Sequence, residues 1–169
     1  MTKPLLLIDV DGPLNPYAAQ AERRPEGYTT HRMRPDGWFA GKPLRVWLNP
    51  GHGPELLALA DAYELVWATT WKGEANDWIG PRLGLPELPF IDWPNMHGAS
   101  PRGTFWKTQY ILEYAQGRPF AWVDDDITPY DHEYVEHHHL AAALLLHVDP
   151  RLGLLRPDFD RLADWAAAL

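Results

Sequence analysis

Two carboxylates one residue apart, Asp9 and Asp11, stand where the apolar run Leu5-Leu6-Leu7-Ile8 breaks off into Gly12 and Pro13. Acids at this spacing share a face if a strand continues, and a turn can instead swing both around one bound cation. A second acidic run, Asp124-Asp125-Asp126, follows the apolar stretch Phe120-Ala121-Trp122-Val123 in the same manner. Carboxylates gathered this closely repel one another without a cation, so a metal gives the pattern a physical reason. The competing readings are a turn former or helix cap for either acid of the first pair, and a solvated acidic turn for the second run. His137-His138-His139, beside Asp131, His132, Glu133 and Glu136, suggests zinc. Only His132 with Glu136 and Glu133 with His137 have the one-turn spacing of a ligand pair, and a solvated helix face is the expectation there.

These groups must be delivered by a framework, and the apolar pattern describes one. Leu5 to Ile8 reads as a fully buried strand. Tyr17 to Arg24 suits one or two helical turns. Tyr28 to Arg34 and Leu44 to Leu48 read as a hairpin closed by the loop Pro35 to Pro43, which carries Trp38 and Phe39; one ring is expected to pack on the domain. Glu55 to Ala62 has helical spacing, Glu64 to Ala68 is a second core strand, Glu74 to Arg82 a helix, and Leu88 to Ile91 a short third strand. A polar loop, Asp92 to Gly103, precedes a helix over Thr104 to Gln116. Phe120 to Val123 is a fourth strand, Leu140 to Val148 a fifth, and Asp158 to Leu169 a closing amphipathic helix. Strands alternating with helices predict an α/β fold: a parallel sheet of about five strands with helices on both faces. Buried strands that deliver acids at their carboxyl ends are where such sheets place their sites.

Composition narrows the function. A chain of 169 residues suits one domain spanning 1–169, and the absence of cysteine excludes disulfides, thiolate metal sites and thiol nucleophiles. The net charge of −8, from 15 basic and 23 acidic residues, argues against a large nucleic-acid footprint while leaving room for a local basic patch. Nine tryptophans and 17 prolines point to a loop-rich, aromatic-lined surface. The N-terminus does not read as a cleaved signal, and no run approaches the roughly 20 apolar residues of a membrane span. A cytoplasmic protein without membrane partners is expected. Oligomeric state is not legible.

The string Asp9-Val10-Asp11-Gly12-Pro13-Leu14-Asn15-Pro16 resembles the first motif of the haloacid dehalogenase (HAD) superfamily, and its second Asp resembles the phosphatase branch. Pro13 departs from the Thr or Val of many relatives. The resemblance implies a three-layer Rossmann-like fold, a nucleophile at Asp9 and a general acid/base at Asp11. It also implies a hydroxyl at Thr69, or Thr70 one residue on, to bind the phosphoryl group, and a lysine at Lys107, with Lys72 as competitor. Mg²⁺ would be held by Asp9, the Asp11 main-chain carbonyl and one or both of Asp124 and Asp125, with Asp131 farther out. The expected function is a Mg²⁺-dependent phosphomonoester hydrolase acting through an aspartyl-phosphate; the alternative is a non-catalytic metal-binding or regulatory protein of the same fold. The hairpin, residues 28–48, sits where the superfamily places a flap, and neither inter-motif gap leaves room for a large cap. An open site of this kind suits a phosphorylated macromolecule or a phosphorylated small molecule.

Overall fold

The computed structural model describes residues 2–169. Strand β1 (Leu5–Ile8) is the axis of the molecule, and every residue in it is buried. Its side chains alternate between two apolar cores: Leu6 and Ile8 enter one, Leu5 and Leu7 the other. A strand buried on both faces reads as a continuous aliphatic run, as this one does.

Three more strands complete a parallel sheet, β4 (Glu64–Trp67), β5 (Phe120–Asp124) and β6 (Ala143–His147), in the order β4-β1-β5-β6. Ile8 lies in register with Trp67 on one side and Val123 on the other, so β1 and β4 finish level and β5 runs one residue further, to Asp124. The chain leaves β1 for β4 and later returns to β5 across it. That makes the carboxyl end of β1 the topological switch point of the sheet, where open α/β folds form their crevice.

Helices cover both faces. The core containing Leu6 and Ile8 takes in α1 (His52–Leu59), α2 (Glu74–Trp78), α3 (Gly80–Leu83) and α6 (Arg156–Ala167) through Leu56, Ala75, Leu83 and Leu162. The other takes in α4 (Thr108–Ala115) and α5 (Pro129–His138) through Ile111, Ala115 and Val135. A separate antiparallel hairpin, β2 (Thr29–Met33) with β3 (Leu44–Leu48), follows β1 and pins Met33, Val46 and Leu48 onto the first core.

The α/β class, the parallel sheet and the hairpin flap match the sequence expectation; several boundaries do not. Residues 88–91 form a single bridge, Phe90 opposite Trp67, so the sheet has four strands. Pro89 accepts from Trp67 N–H but has no N–H to return, which prevents a longer ladder. The expected helix over 74–82 breaks into α2 and α3 at Ile79, because Pro81 has no N–H to continue the ladder of α2 and sits instead in the first turn of α3, where none is needed. Residues 17–24 form turns, and the helix expected from Thr104 starts at Thr108. The last strand starts at Ala143 rather than Leu140, whose side chain is fully exposed. Among the described residues no helix is long and apolar enough to cross a membrane.

Candidate active site

Alternation along neighbouring strands brings the two acidic motifs together. Leu5 and Leu7 of β1, like Phe120 and Trp122 of β5, face the α4–α5 side. The next residues in each phase are Asp9 and Asp124, side by side at the sheet edge with Asp9 N–H donating to Val123 O (3.2 Å). Lys107 precedes α4 on that face and is buried at their base. Its ammonium donates to Asp124 Oδ2 (2.8 Å) and Ala68 O (2.9 Å) and lies 3.4 Å from Asp9 Oδ1. The rings of Phe105, Trp93 and Trp106 surround the ammonium with centroids 5.4–5.9 Å away, a further electrostatic contact for a desolvated cation.

One oxygen each from Asp9, Asp124 and Asp125 lie within 4.8 Å of one another. Burial lifts the Asp9 carboxyl well above the ordinary carboxylate range; Asp124 adds to the rise and Lys107 opposes it. Burial by itself would lower the Lys107 ammonium, but Asp124 and Asp9 hold it above the usual lysine value. Asp125 is raised to about 6, by burial first, while the hydrogen bond from Tyr17 O–H to its Oδ2 (2.6 Å) works the other way. Asp126 is also raised, by burial and by Asp124. One lysine therefore does not balance the acids around it. The donors are all hard oxygens with no imidazole or thiolate among them, which fits Mg²⁺ and argues against zinc. Gly12 allows the close approach. Its φ is +102°, and a Cβ there would lie 2.7 Å from the Asp125 Cβ.

Asp11 is gripped by two donors that sequence reading did not single out. Asn15 Nδ2–H donates to Oδ1 (2.9 Å) and the Trp71 indole N–H to Oδ2 (3.0 Å). Asn15 Oδ1 in turn accepts Trp47 N–H (3.1 Å) from β3, so one amide joins Asp11 to the flap. Asn15 lies within the first-motif string, but nothing there assigns it this contact, and Tyr17 and Trp71 carry no motif that points to the site.

Asp9, Asp11, Lys107, Thr70 and Asp125 line one cleft of about 510 Å³, together with Tyr17, Trp38, Arg45, His97, Phe105 and Trp106. Thr69 is fully buried beside it, its hydroxyl accepting Trp71 N–H (3.2 Å), while Thr70 is exposed to the cleft. Lys72 does not reach the carboxylates: it pairs with Asp92 (2.9 Å) and donates to Trp93 O (3.2 Å). That pair borders a larger cavity of about 700 Å³ beside the cleft, lined by Asp36, Glu74, Asp77, Glu87 and Asp92. Of the flap aromatics, Trp38 turns to the cleft and donates its indole N–H to Lys42 O (2.8 Å), whereas Phe39 is 93% exposed. Trp38 is itself 37% exposed and joins neither core, so the expected packing of one ring on the domain is not seen.

Asp131 is not part of the acidic cluster. Its Oδ2 accepts Thr128 N–H (2.7 Å) and O–H (2.9 Å), and its Oδ1 accepts Phe105 N–H and Thr108 O–H (2.7 Å each). The buried carboxylate caps α5 and fastens it to the start of α4. His137 and His138 are exposed and each bonds a carbonyl one turn back, while His139 is buried with Nε2 at Arg118 O (3.0 Å). Among the described residues these histidines assemble no three-ligand group.

The family described as "HAD domain in Swiss Army Knife RNA repair proteins" matches residues 5–159. No curated protein and no solved structure gives a significant match.

Proposed function

The chain belongs to the family of HAD domains of Swiss Army Knife RNA repair proteins, and from that membership and the cleft we propose a Mg²⁺-dependent phosphomonoesterase that acts on a phosphorylated RNA end. The observation that carries the reading is the convergence of Asp9, Asp124 and Asp125 over buried Lys107 at the sheet's switch point.

Asp9 is the nucleophile. Its Oδ1 accepts Val10 N–H (2.8 Å) and faces Lys107, which leaves Oδ2 for attack on phosphorus. A P–O bond forms to Asp9, the ester P–O bond breaks, and Asp11 protonates the departing oxygen. Asp11 then accepts a proton from the water that hydrolyses the aspartyl-phosphate, which returns Asp9 and releases inorganic phosphate. Proton transfer of this kind contributes about 10²–10⁴-fold. The indole of Trp71 and the amide of Asn15 hold Asp11 in place for both steps. Lys107 favours the ionised form of Asp9 against burial and offsets charge on the transferring group, and Thr70 or Thr69 donates a hydroxyl hydrogen bond to it. Asp9, the Asp11 carbonyl and Asp124 or Asp125 would hold Mg²⁺, which would supply charge neutralisation for the phosphoryl group. The flap is a hairpin rather than a folded cap, so the whole chain acts as one domain with a cleft open to a polymer end.

The test is release of inorganic phosphate from an aryl phosphate and from phosphate-terminated oligoribonucleotides, with Mg²⁺ or chelator. Turnover that needs Mg²⁺ and vanishes in Asp9→Asn supports the mechanism. Hydrolysis of neither substrate by a folded, Mg²⁺-binding protein would overturn it in favour of a non-catalytic role.

A further inference from the structure

The chain is acidic overall, yet between Arg23 and Arg45 it carries six basic side chains, Arg23, Arg24, Arg32, Arg34, Lys42 and Arg45, against two acidic ones. The stretch is the flap and its approach. Arg32 and Arg45 are direct cross-strand partners, so they share a face with Thr30 and Trp47. Met33 and Val46 occupy the opposite face, in the core. Alternation continued past Met33 puts Arg34 on the arginine face as well.

Like charges directly opposite on a hairpin are destabilising, and among the described residues neither Arg32 nor Arg45 is paired with a carboxylate. The guanidiniums meet only neutral partners: Arg24 donates to Thr30 Oγ1 (3.0 Å), Arg34 to Gly41 O (3.3 Å) and Arg45 to Ala21 O (3.1 Å). Arg45 also lies 3.7 Å over the Trp47 ring. Among the described residues none of the six makes a salt bridge, although Lys72, Arg118, Arg151 and Arg156 elsewhere all do. Arg45 connects this face to the catalytic cleft, whose lining it joins. The neighbouring cavity beyond Thr70 and Trp71 carries Asp36, Glu74, Asp77, Glu87 and Asp92 and would repel a polyanion. Between these two neighbours of the cleft, the arginine face is the one that attracts an anion.

We propose that the hairpin face bearing Arg24, Arg32, Arg34 and Arg45 is a docking track for the sugar-phosphate backbone of a single-stranded RNA whose phosphorylated end lies in the cleft. The proposal rests on the phosphomonoesterase reading of that cleft. The aromatic lining, Trp38, Phe105 and Trp106, offers stacking surface for the terminal base, and a cationic groove beside aromatic rings suits a single strand. The overall charge of −8 does not oppose this, because binding answers to the local field within roughly a Debye length of about 8–10 Å.

The experiment is fluorescence anisotropy of a labelled, phosphate-terminated RNA decamer on full-length Asp9→Asn protein with Mg²⁺, using the phosphate at whichever end binds more tightly. The decamer should bind at least about tenfold more tightly than the phosphorylated mononucleotide at low salt. Its log–log salt slope should be about −2, for about three contacted phosphates at roughly 0.7 each. Arg32→Ala with Arg34→Ala should weaken decamer binding about tenfold and flatten the slope by about 1.4. Arg32→Lys with Arg34→Lys, which keeps the charge, should stay within about threefold. Circular dichroism confirms folding; should the alanine pair unfold, Arg32→Gln with Arg34→Gln takes its place. Equal affinity for decamer and mononucleotide, or an unchanged slope in the alanine pair, would overturn the proposal. So would a polyglutamate peptide binding as tightly as the RNA, which would assign the face to an acidic protein. If wild type hydrolyses neither aryl phosphate nor the phosphate-terminated RNA while arginine-dependent RNA binding persists, the catalytic reading falls and the track stands.

Discussion

Lys107→Met separates the stabilising role of the buried lysine from the metal site it serves. Methionine keeps much of the side-chain length and removes the charge. The wild-type ammonium is 2% exposed and contacts Asp124 Oδ2 at 2.8 Å and Asp9 Oδ1 at 3.4 Å, with Asp124 itself fully buried. Removing one partner of a buried ion pair costs about 3–5 kcal/mol, because the other is left charged and buried. At this chain length each kcal/mol moves Tm by about 2–4 °C, so a fall of roughly 6–20 °C is expected near neutral pH in chelator. The loss should depend on pH. Asp9 titrates above its unfolded value in the folded protein, so between those two values the folded state binds a proton that the unfolded chain has released. Stability therefore declines as pH rises through that window. Without Lys107, which lowers the Asp9 value, the window widens upward, and the variant should recover part of its loss at pH 5. Mg²⁺ at 100 times its Kd should restore about 2.7 kcal/mol. Urea unfolding followed by tryptophan fluorescence, at pH 5 and 7.5 with Mg²⁺ or chelator, reads all three effects. A destabilisation below about 1 kcal/mol, or one equal at both pH values, would refute the charge balance argued for the site.

Three further outcomes follow from named contacts. Tyr17→Phe removes the O–H donor that stabilises ionised Asp125, whose carboxyl is already raised to about 6; Mg²⁺ affinity by calorimetry should fall about three- to tenfold at pH 6 and much less at pH 8. Trp71→Phe deletes the indole N–H on Asp11 Oδ2, and kcat for aryl phosphate should drop about tenfold with KM nearly constant, as for an orienting hydrogen bond of about 1.4 kcal/mol. Asp131→Ala removes the acceptor of four hydrogen bonds, two that cap α5 and two that tie it to the start of α4. It should cost about 2–4 kcal/mol in urea unfolding while leaving Mg²⁺ affinity unchanged, and a lost affinity would return Asp131 to the metal site.

Much of the framework is legible along the chain because its signals are local. Leu5 to Ile8 can only be a strand covered on both faces, and the turn residues after it place Asp9 and Asp11 at its carboxyl end. The strand ending at Asp124 reads the same way. Where backbone donors are missing, local pattern misleads. Pro89 reduces an expected strand to one bridge, and Pro81 divides an expected helix.

The sequence alone determined the chemistry on offer: two acidic motifs at strand ends, no thiol, and a cationic stretch inside an acidic chain. Tertiary structure decided which groups meet. It brought Lys107 rather than Lys72 to Asp9, turned Asp131 from a candidate near the metal into a helix cap, set Asn15 of the first motif on Asp11, and recruited Tyr17 and Trp71, which carry no motif. It also aimed Arg45 into the cleft. The reason is the range of the interactions. Strand and turn propensities act over a few residues and are written in order along the chain. A buried charge or an indole N–H is satisfied by whatever the packing of sheet, flap and helix brings within about 3 Å, and that distance bears no relation to separation in sequence.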